Sequence, residues 1–259
     1  MSDDITHILN SWEYDPENPV RIVKADDGRE VLQVRQPLGI EQYELDGRPD
    51  GLRPEGMECL VDYYYDRLDK YRAANNTDKG YVINHEDFLK LQNEGIIYYY
   101  RYLILFQIGD FDRTVNDTDH NLKICDLVDQ YATKESDKKE ILQYRPYILR
   151  INAISKAMIS LNQQLKSVAA QILESAIELI QNMPTIETPA FKFEKLRSLH
   201  SLKSTLKQII GKQESPLDKL KAELKKAVEI ENYERAAELR DQIENQEKIE
   251  EKLHDDHPG

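Results

Sequence analysis

From Arg53 to about residue 211 the chain repeats apolar residues at three-and-four spacing with few interruptions, which commits most of it to amphipathic helices. The predicted helices cover roughly residues 55–73, 85–108, 111–131, 136–162, 165–182 and 191–211. The first 52 residues obey a different rule. Val20 to Lys24, Val31 to Arg35 and Ile40 to Leu45 alternate apolar and polar positions. Asp27-Gly28 separates the first two runs, and Asp46-Gly47-Arg48-Pro49-Asp50-Gly51 ends the third; both are turn formers. Three antiparallel strands in a meander are therefore expected. Their apolar face would hold Ile22, Leu32, Val34, Ile40 and Tyr43, and it needs a helical cover.

The joint Gln107-Ile108-Gly109-Asp110-Phe111-Asp112-Arg113 stops one helix at a glycine and restarts the next at an acidic cap. Together with Tyr98 and Thr114 it resembles the tetratricopeptide repeat, a helix-turn-helix unit of about 34 residues. The resemblance implies a helical-repeat body. Tyr102, Thr114 and Asn121 replace that repeat's small residues, and the segment from Leu161 to Ile180 lacks the Gly-Asp joint, so a plain helical bundle stands as the alternative.

Beyond residue 212 a hairpin is written in capping and stripe residues. Ser215 can cap a helix by accepting from the amide of Asp218, Pro216 sits where its missing donor costs nothing, and Asp218 can complete a capping box. Leu217, Leu220, Leu224, Ala227 and Val228 share one stripe of the first helix; Tyr233, Ala236, Ala237, Leu239 and Ile243 share one stripe of the second. So small an element buries too little apolar surface to stand alone. The run Asn232-Tyr233-Glu234-Arg235-Ala236-Ala237-Glu238-Leu239-Arg240-Asp241, with the stripe before it, resembles the UVR motif of the bacterial excinuclease B and C subunits and of the activator of the bacterial protein-arginine kinase. That resemblance implies a protein-protein docking element. Its binding residues here would be Leu220, Leu224, Ala227, Tyr233, Ala236, Ala237, Leu239, Arg240 and Ile243, with another protein or a second copy of the chain as partner.

The expected architecture is mainly α: a small amino-terminal antiparallel β meander (1–52) packed on a repeat-like helical body (53–212), a carboxy-terminal antiparallel helical hairpin (213–253) and a disordered tail (254–259). The net charge of -13 disfavours a protein whose affinity comes from neutralising phosphates. Cys59 and Cys125 stand far apart outside any CxxC, which argues against a zinc ribbon or a disulfide framework and fits a reducing cytoplasm. The amino terminus lacks the basic residues and apolar run of a leader, and no stretch reaches the roughly 18 apolar residues of a membrane span.

Chemistry is sparse. Fifteen tyrosines include runs at Tyr63-Tyr64-Tyr65 and Tyr98-Tyr99-Tyr100. Consecutive helical positions point to different faces, so core packing is expected rather than a stacking platform. Asp110, Asp112, Asn116, Asp117 and Asp119 lack the Gly and Glu of a calcium loop and read as a helix cap with a solvated face. The histidines are scattered, apart from His254 and His257 in the tail. With no phosphate loop, dinucleotide turn or nucleophile elbow, no enzyme, metal or cofactor is expected. One segment runs against the overall charge: Lys192, Lys195, Arg197, Lys203, Lys207 and Lys212 face a single Glu194, above a predicted stripe of Leu196, Leu199, Leu202, Leu206 and Ile209. It either packs on the body with its lysines toward acidic segments or touches nucleic acid. The sequence thus reads as a non-catalytic adaptor, with a nucleic-acid-associated accessory factor of excision repair that recruits a nuclease subunit as the alternative.

Overall fold

In the computed structural model the described residues are 4–211, with 220, 223, 224, 232, 235 and 237–243 beyond them. The predicted capping box at Ser215–Asp218, the docking residues Ala227, Tyr233 and Ala236, and the tail lie outside the described residues. Contacts divide the chain into a first unit ending at Thr205 and a second from Leu206.

A short helix, α1 (Thr6–Ser11), precedes strands β1 (Val20–Lys24), β2 (Glu30–Gln36) and β3 (Gly39–Glu44). They pair antiparallel in chain order. Gly28 supplies the positive φ of the first turn (87°), which a side chain would resist. The register aligns Ile22 with Leu32 and Leu32 with Tyr43. Leu32, Leu45 and Leu105 form a buried cluster joined by Val20, Tyr43 and Ile104, so this face rests on the helix carrying Ile104 and Leu105. Burying each such leucine is worth about 1.5–3 kcal/mol. The predicted apolar face needs two corrections. Ile40 pairs with Arg35 and therefore lies on the opposite face, and Ile22, on an outer strand, is 45% exposed. The opposite face is covered too. Val31 and Arg35 are buried, Arg35 donates to the Trp12 carbonyl (2.7 Å), and the Arg21 guanidinium lies 3.8 Å from the Trp12 ring. A central strand covered on both sides explains why its interior positions do not simply alternate in burial.

The helices follow as α2 (Leu60–Asn75), α3 (His85–Gln107), α4 (Phe111–Tyr131), α5 (Glu135–Leu142), α6 (Arg145–Asn162), α7 (Lys166–Asn182) and α8 (Pro189–Ile210). Helix α2 starts later than predicted because Glu55 and Gly56 take positive φ (53° and 77°), which a right-handed helix cannot contain. The predicted helix 136–162 is two helices. Pro146 has no amide to give the Leu142 carbonyl and its ring crowds it, so the chain restarts with this proline in the first turn of α6. At the α3/α4 joint Gly109 is left-handed (φ 80°) and Asp110 caps α4 by accepting from the Arg113 amide (3.2 Å). Val61, Tyr64 and Leu68 from α2, Phe88 and Leu91 from α3, and Ile124, Leu127 and Val128 from α4 share one buried cluster. Helices α3 and α4, α4 and α6, and α6 and α7 pack in succession. Among the described residues no helix is long and apolar enough to cross a membrane.

Candidate functional site

The second unit contains helical residues on both predicted arms of the terminal element: 220, 223 and 224, then 235 and 237–243. Asn232 caps the later arm by accepting from the Arg235 amide (3.1 Å). Leu239 is 1% exposed and packs with Leu220 and Leu224, and Arg235 lies 3.6 Å from Glu223. Ile243 is also buried. Of the predicted docking residues, Leu220, Leu224 and Leu239 therefore meet one another, whereas Ala237 and Arg240 face solvent.

The basic segment resolves differently from its predicted stripe. Helix α8 buries Phe191, Ser198, Leu202 and Ile209, and leaves Leu196 73% exposed. The true stripe runs through 191, 198, 202 and 209, and Leu196 stands off it. Lys195 donates to the carbonyls of Gln181 (3.0 Å) and Met183 (3.1 Å) at the end of α7, and Lys192 pairs with Glu187 (2.6 Å). Lys192, Arg197, Lys203 and Lys207 are exposed.

A cavity of about 550 Å³ opens within the first unit between α3, α4, the α5/α6 joint and α8. Tyr99, Tyr100 and Tyr102 of α3 line it together with Tyr144 and Tyr147. Tyr99 and Tyr102 stand one turn apart, and Tyr147 meets both across the gap in edge-on and tilted contacts, with ring centroids 6.1 and 6.4 Å away. Tyr98 points elsewhere and is buried against His120. Asn121 Oδ1 and Glu194 Oε2, both from lining residues, are buried without a hydrogen-bond partner among the described residues. Beside the wall, Arg150 lies 5.0 Å from the centre of the Tyr147 ring, and burial together with the Arg197 charge lowers its pKa.

Behind this wall lies a polar interior. Arg101 grips Asp117 with two hydrogen bonds (2.8 and 2.6 Å) and donates to the carbonyls of Glu44 (2.6 Å) and Gly47 (2.8 Å), so it ties the end of the meander to α3 and α4. Burial raises the Asp117 carboxyl against the opposing pull of Arg101. Asp117 is thus interior, which corrects the expected solvated acidic face; Asp110 does serve as the cap. One turn before Tyr98, Glu94 is fully buried and accepts from the amides of Leu60 (2.8 Å) and Val61 (3.0 Å) at the start of α2. Burial alone would raise its carboxyl, yet His120 and those amides hold it below its ordinary value. Cys59, the residue that precedes α2, completes a group in which a sulfur, a carboxylate oxygen and an imidazole nitrogen lie within 4.8 Å of one another. Burial pushes the Cys59 thiol up to about 12.

A family model described as the UvrB/uvrC motif matches residues 214–249. This span contains the buried Leu239 cluster and the exposed Arg240, and it leaves the meander and the helical body unassigned. Comparison with curated proteins finds no match, and comparison with solved structures finds none either.

The group at Cys59, Glu94 and His120 was not legible in the sequence. Its members come from three separate elements with no motif spacing. The only local signal was a glutamate and a histidine on otherwise core-facing turns of α3 and α4, a weak one by itself.

Proposed function

We propose that this chain is a non-catalytic adaptor, docking another protein or a second copy of itself through a carboxy-terminal antiparallel helical hairpin. The match of the UvrB/uvrC motif to residues 214–249 carries this reading. Packing of Leu239 with Leu220 and Leu224, and the proximity of Arg235 to Glu223, support arms that close on their own apolar stripe. The partner then meets the side on which Ala237 and Arg240 are exposed. Succession of α3, α4, α6 and α7 supports a divergent tetratricopeptide-like body. Two free buried cysteines support a reducing, cytoplasmic setting. Changing Ala236 and Ala237 together to Glu is expected to abolish association, read by light scattering for self-association and by affinity capture for another protein, while circular dichroism of the body stays unchanged. If both association readouts survive the substitution, docking through this face is wrong.

The exposure of Lys192, Arg197, Lys203 and Lys207 favours a second reading, an accessory factor of excision repair that contacts nucleic acid and recruits a nuclease subunit. A salt-dependent shift of labelled DNA that disappears on reversing Lys203 and Lys207 to Glu would select it. A shift that ignores either salt or the reversal would reject it.

A further inference from the structure

Three Lewis bases converge in the buried interior of the first unit. Cys59, Glu94 and His120 are 5%, 0% and 8% exposed, and one ligand atom from each lies within 4.8 Å of the others. His120 Nε2 stands 3.3 Å from Glu94 Oε1 but makes no hydrogen bond. A nitrogen and an oxygen that each bind a tetrahedral metal at about 2.0–2.1 Å are themselves about 3.3–3.4 Å apart, so the observed spacing is one edge of such a site. A thiolate sulfur at about 2.3 Å from the same ion would lie about 3.5 Å from both, inside the 4.8 Å within which the three atoms already lie.

The surroundings are built as those of a ligand set. Amides of Leu60 and Val61 hold the two Glu94 oxygens, and the Arg48 guanidinium approaches Glu94 Oε2 at 3.5 Å. The His120 ring lies flat on Tyr98, with centroids 3.6 Å apart and planes at 9°. Such outer contacts fix the orientation of ligating side chains. A helix-capping role for Glu94 explains its two amide bonds. It leaves unexplained why a thiol lies beside this carboxylate–imidazole pair in the same buried space.

We propose that Cys59, Glu94 and His120 bind one zinc ion, with water in the fourth position. The thiolate and carboxylate would offset the charge of a divalent cation. Their combination with imidazole selects zinc over magnesium or calcium, which prefer all-oxygen sites. The ion would join the start of α2 to α3 and α4.

The test uses the untagged full-length chain, reduced, stripped with a chelator and titrated with cobalt(II). One equivalent is expected to bind with the visible bands of tetrahedral cobalt and a near-ultraviolet thiolate-to-cobalt band, and zinc should displace it. Cys59→Ser should remove the thiolate band, and His120→Gln should weaken binding at least tenfold. Cys125→Ala and the pair His254→Ala/His257→Ala should leave it intact. The proposal is overturned if the wild-type chain, with both thiols counted free, gives no thiolate band. It is equally overturned if the band survives Cys59→Ser or vanishes in either control. Should Cys59→Ser or His120→Gln fail to fold by circular dichroism, the wild-type titration and the controls decide alone.

Discussion

Arg101 offers a sharp test of what holds the meander to the helical body. Its guanidinium makes four hydrogen bonds, two to the Asp117 carboxylate and one each to the carbonyls of Glu44 and Gly47, and both charged side chains are 3% exposed. Arg101→Met keeps much of the volume but leaves Asp117 buried without its partner. Loss of one member of a buried pair typically costs about 3–5 kcal/mol, and in a domain of about 200 residues that lowers Tm by roughly 6–20 °C. Adding Asp117→Leu removes the stranded charge and should restore part of this loss. Two carbonyls remain unpaired, each worth about 1–3 kcal/mol if no water replaces the guanidinium, so the double variant should stay below wild type by about 2 kcal/mol or more. Urea unfolding followed by circular dichroism gives the four corners of this cycle, and hydrogen exchange at 44–47 should rise in both Arg101 variants. A cost below about 1 kcal/mol for Arg101→Met would refute a desolvated pair. A double variant as stable as wild type would refute the anchoring of the meander by these carbonyls.

Cys125 is fully buried, and burial pushes its thiol up to about 12. A raised folded-state pKa gives stability that is complete below the unfolded-state value of about 8.5 and lost as pH rises through the folded one. The stability difference between wild type and Cys125→Ala should therefore shrink by about 1.4 kcal/mol per pH unit above about pH 9; urea midpoints at pH 8, 9 and 10 test this, and a flat difference would contradict it. Gly95 sits inside α3, and the nearest atoms to an added Cβ would be Asn121 Oδ1 at 3.5 Å, Ile124 Cδ1 at 3.6 Å and Asn121 Cγ at 3.9 Å, ordinary contacts. Gly95→Ala is expected to stabilise the first unit by about 0.5–1 kcal/mol through helix propensity, and a lower thermal midpoint would show that the cavity wall needs the glycine.

What was readable in the sequence shares one property: its cause lies within a few residues. Val20–Lys24 is legible because alternation and the Asp27-Gly28 turn act locally, and the α3/α4 joint because Gly109 and Asp110 carry their own backbone and capping chemistry. The break before α6 was equally local; Pro146 announces it, and apolar periodicity masked the signal. Leu196 failed for another reason. Several leucines on α8 offered competing stripes, and only the surface beneath the helix decides that Ser198 is buried while Leu196 is exposed. The face of Ile40 is not legible locally, because strand alternation fixes relative sides along one strand, and pairing with Arg35 is needed to relate it to Leu32.

The buried polar residues mark the boundary of such reading, and they bear on how the molecule divides its labour. Glu94, Arg101, Asp117 and His120 occupy positions of α3 and α4 that periodicity would assign to the core, where an uncompensated charge is costly. Each is tolerated because something distant in sequence answers it: the start of α2 for Glu94, the end of the meander for Arg101. These contacts lock the start of α2 and the meander to a single arrangement against α3 and α4, a specificity that apolar packing alone supplies less well. The terminal segment contrasts with this. Its stripe is answered by neighbouring leucines within the same element, and charged Arg240 is left to solvent. The body is thus fixed by nonlocal charge, whereas the described leucines of the terminal segment are buried against one another within the span 214–249 matched by one motif.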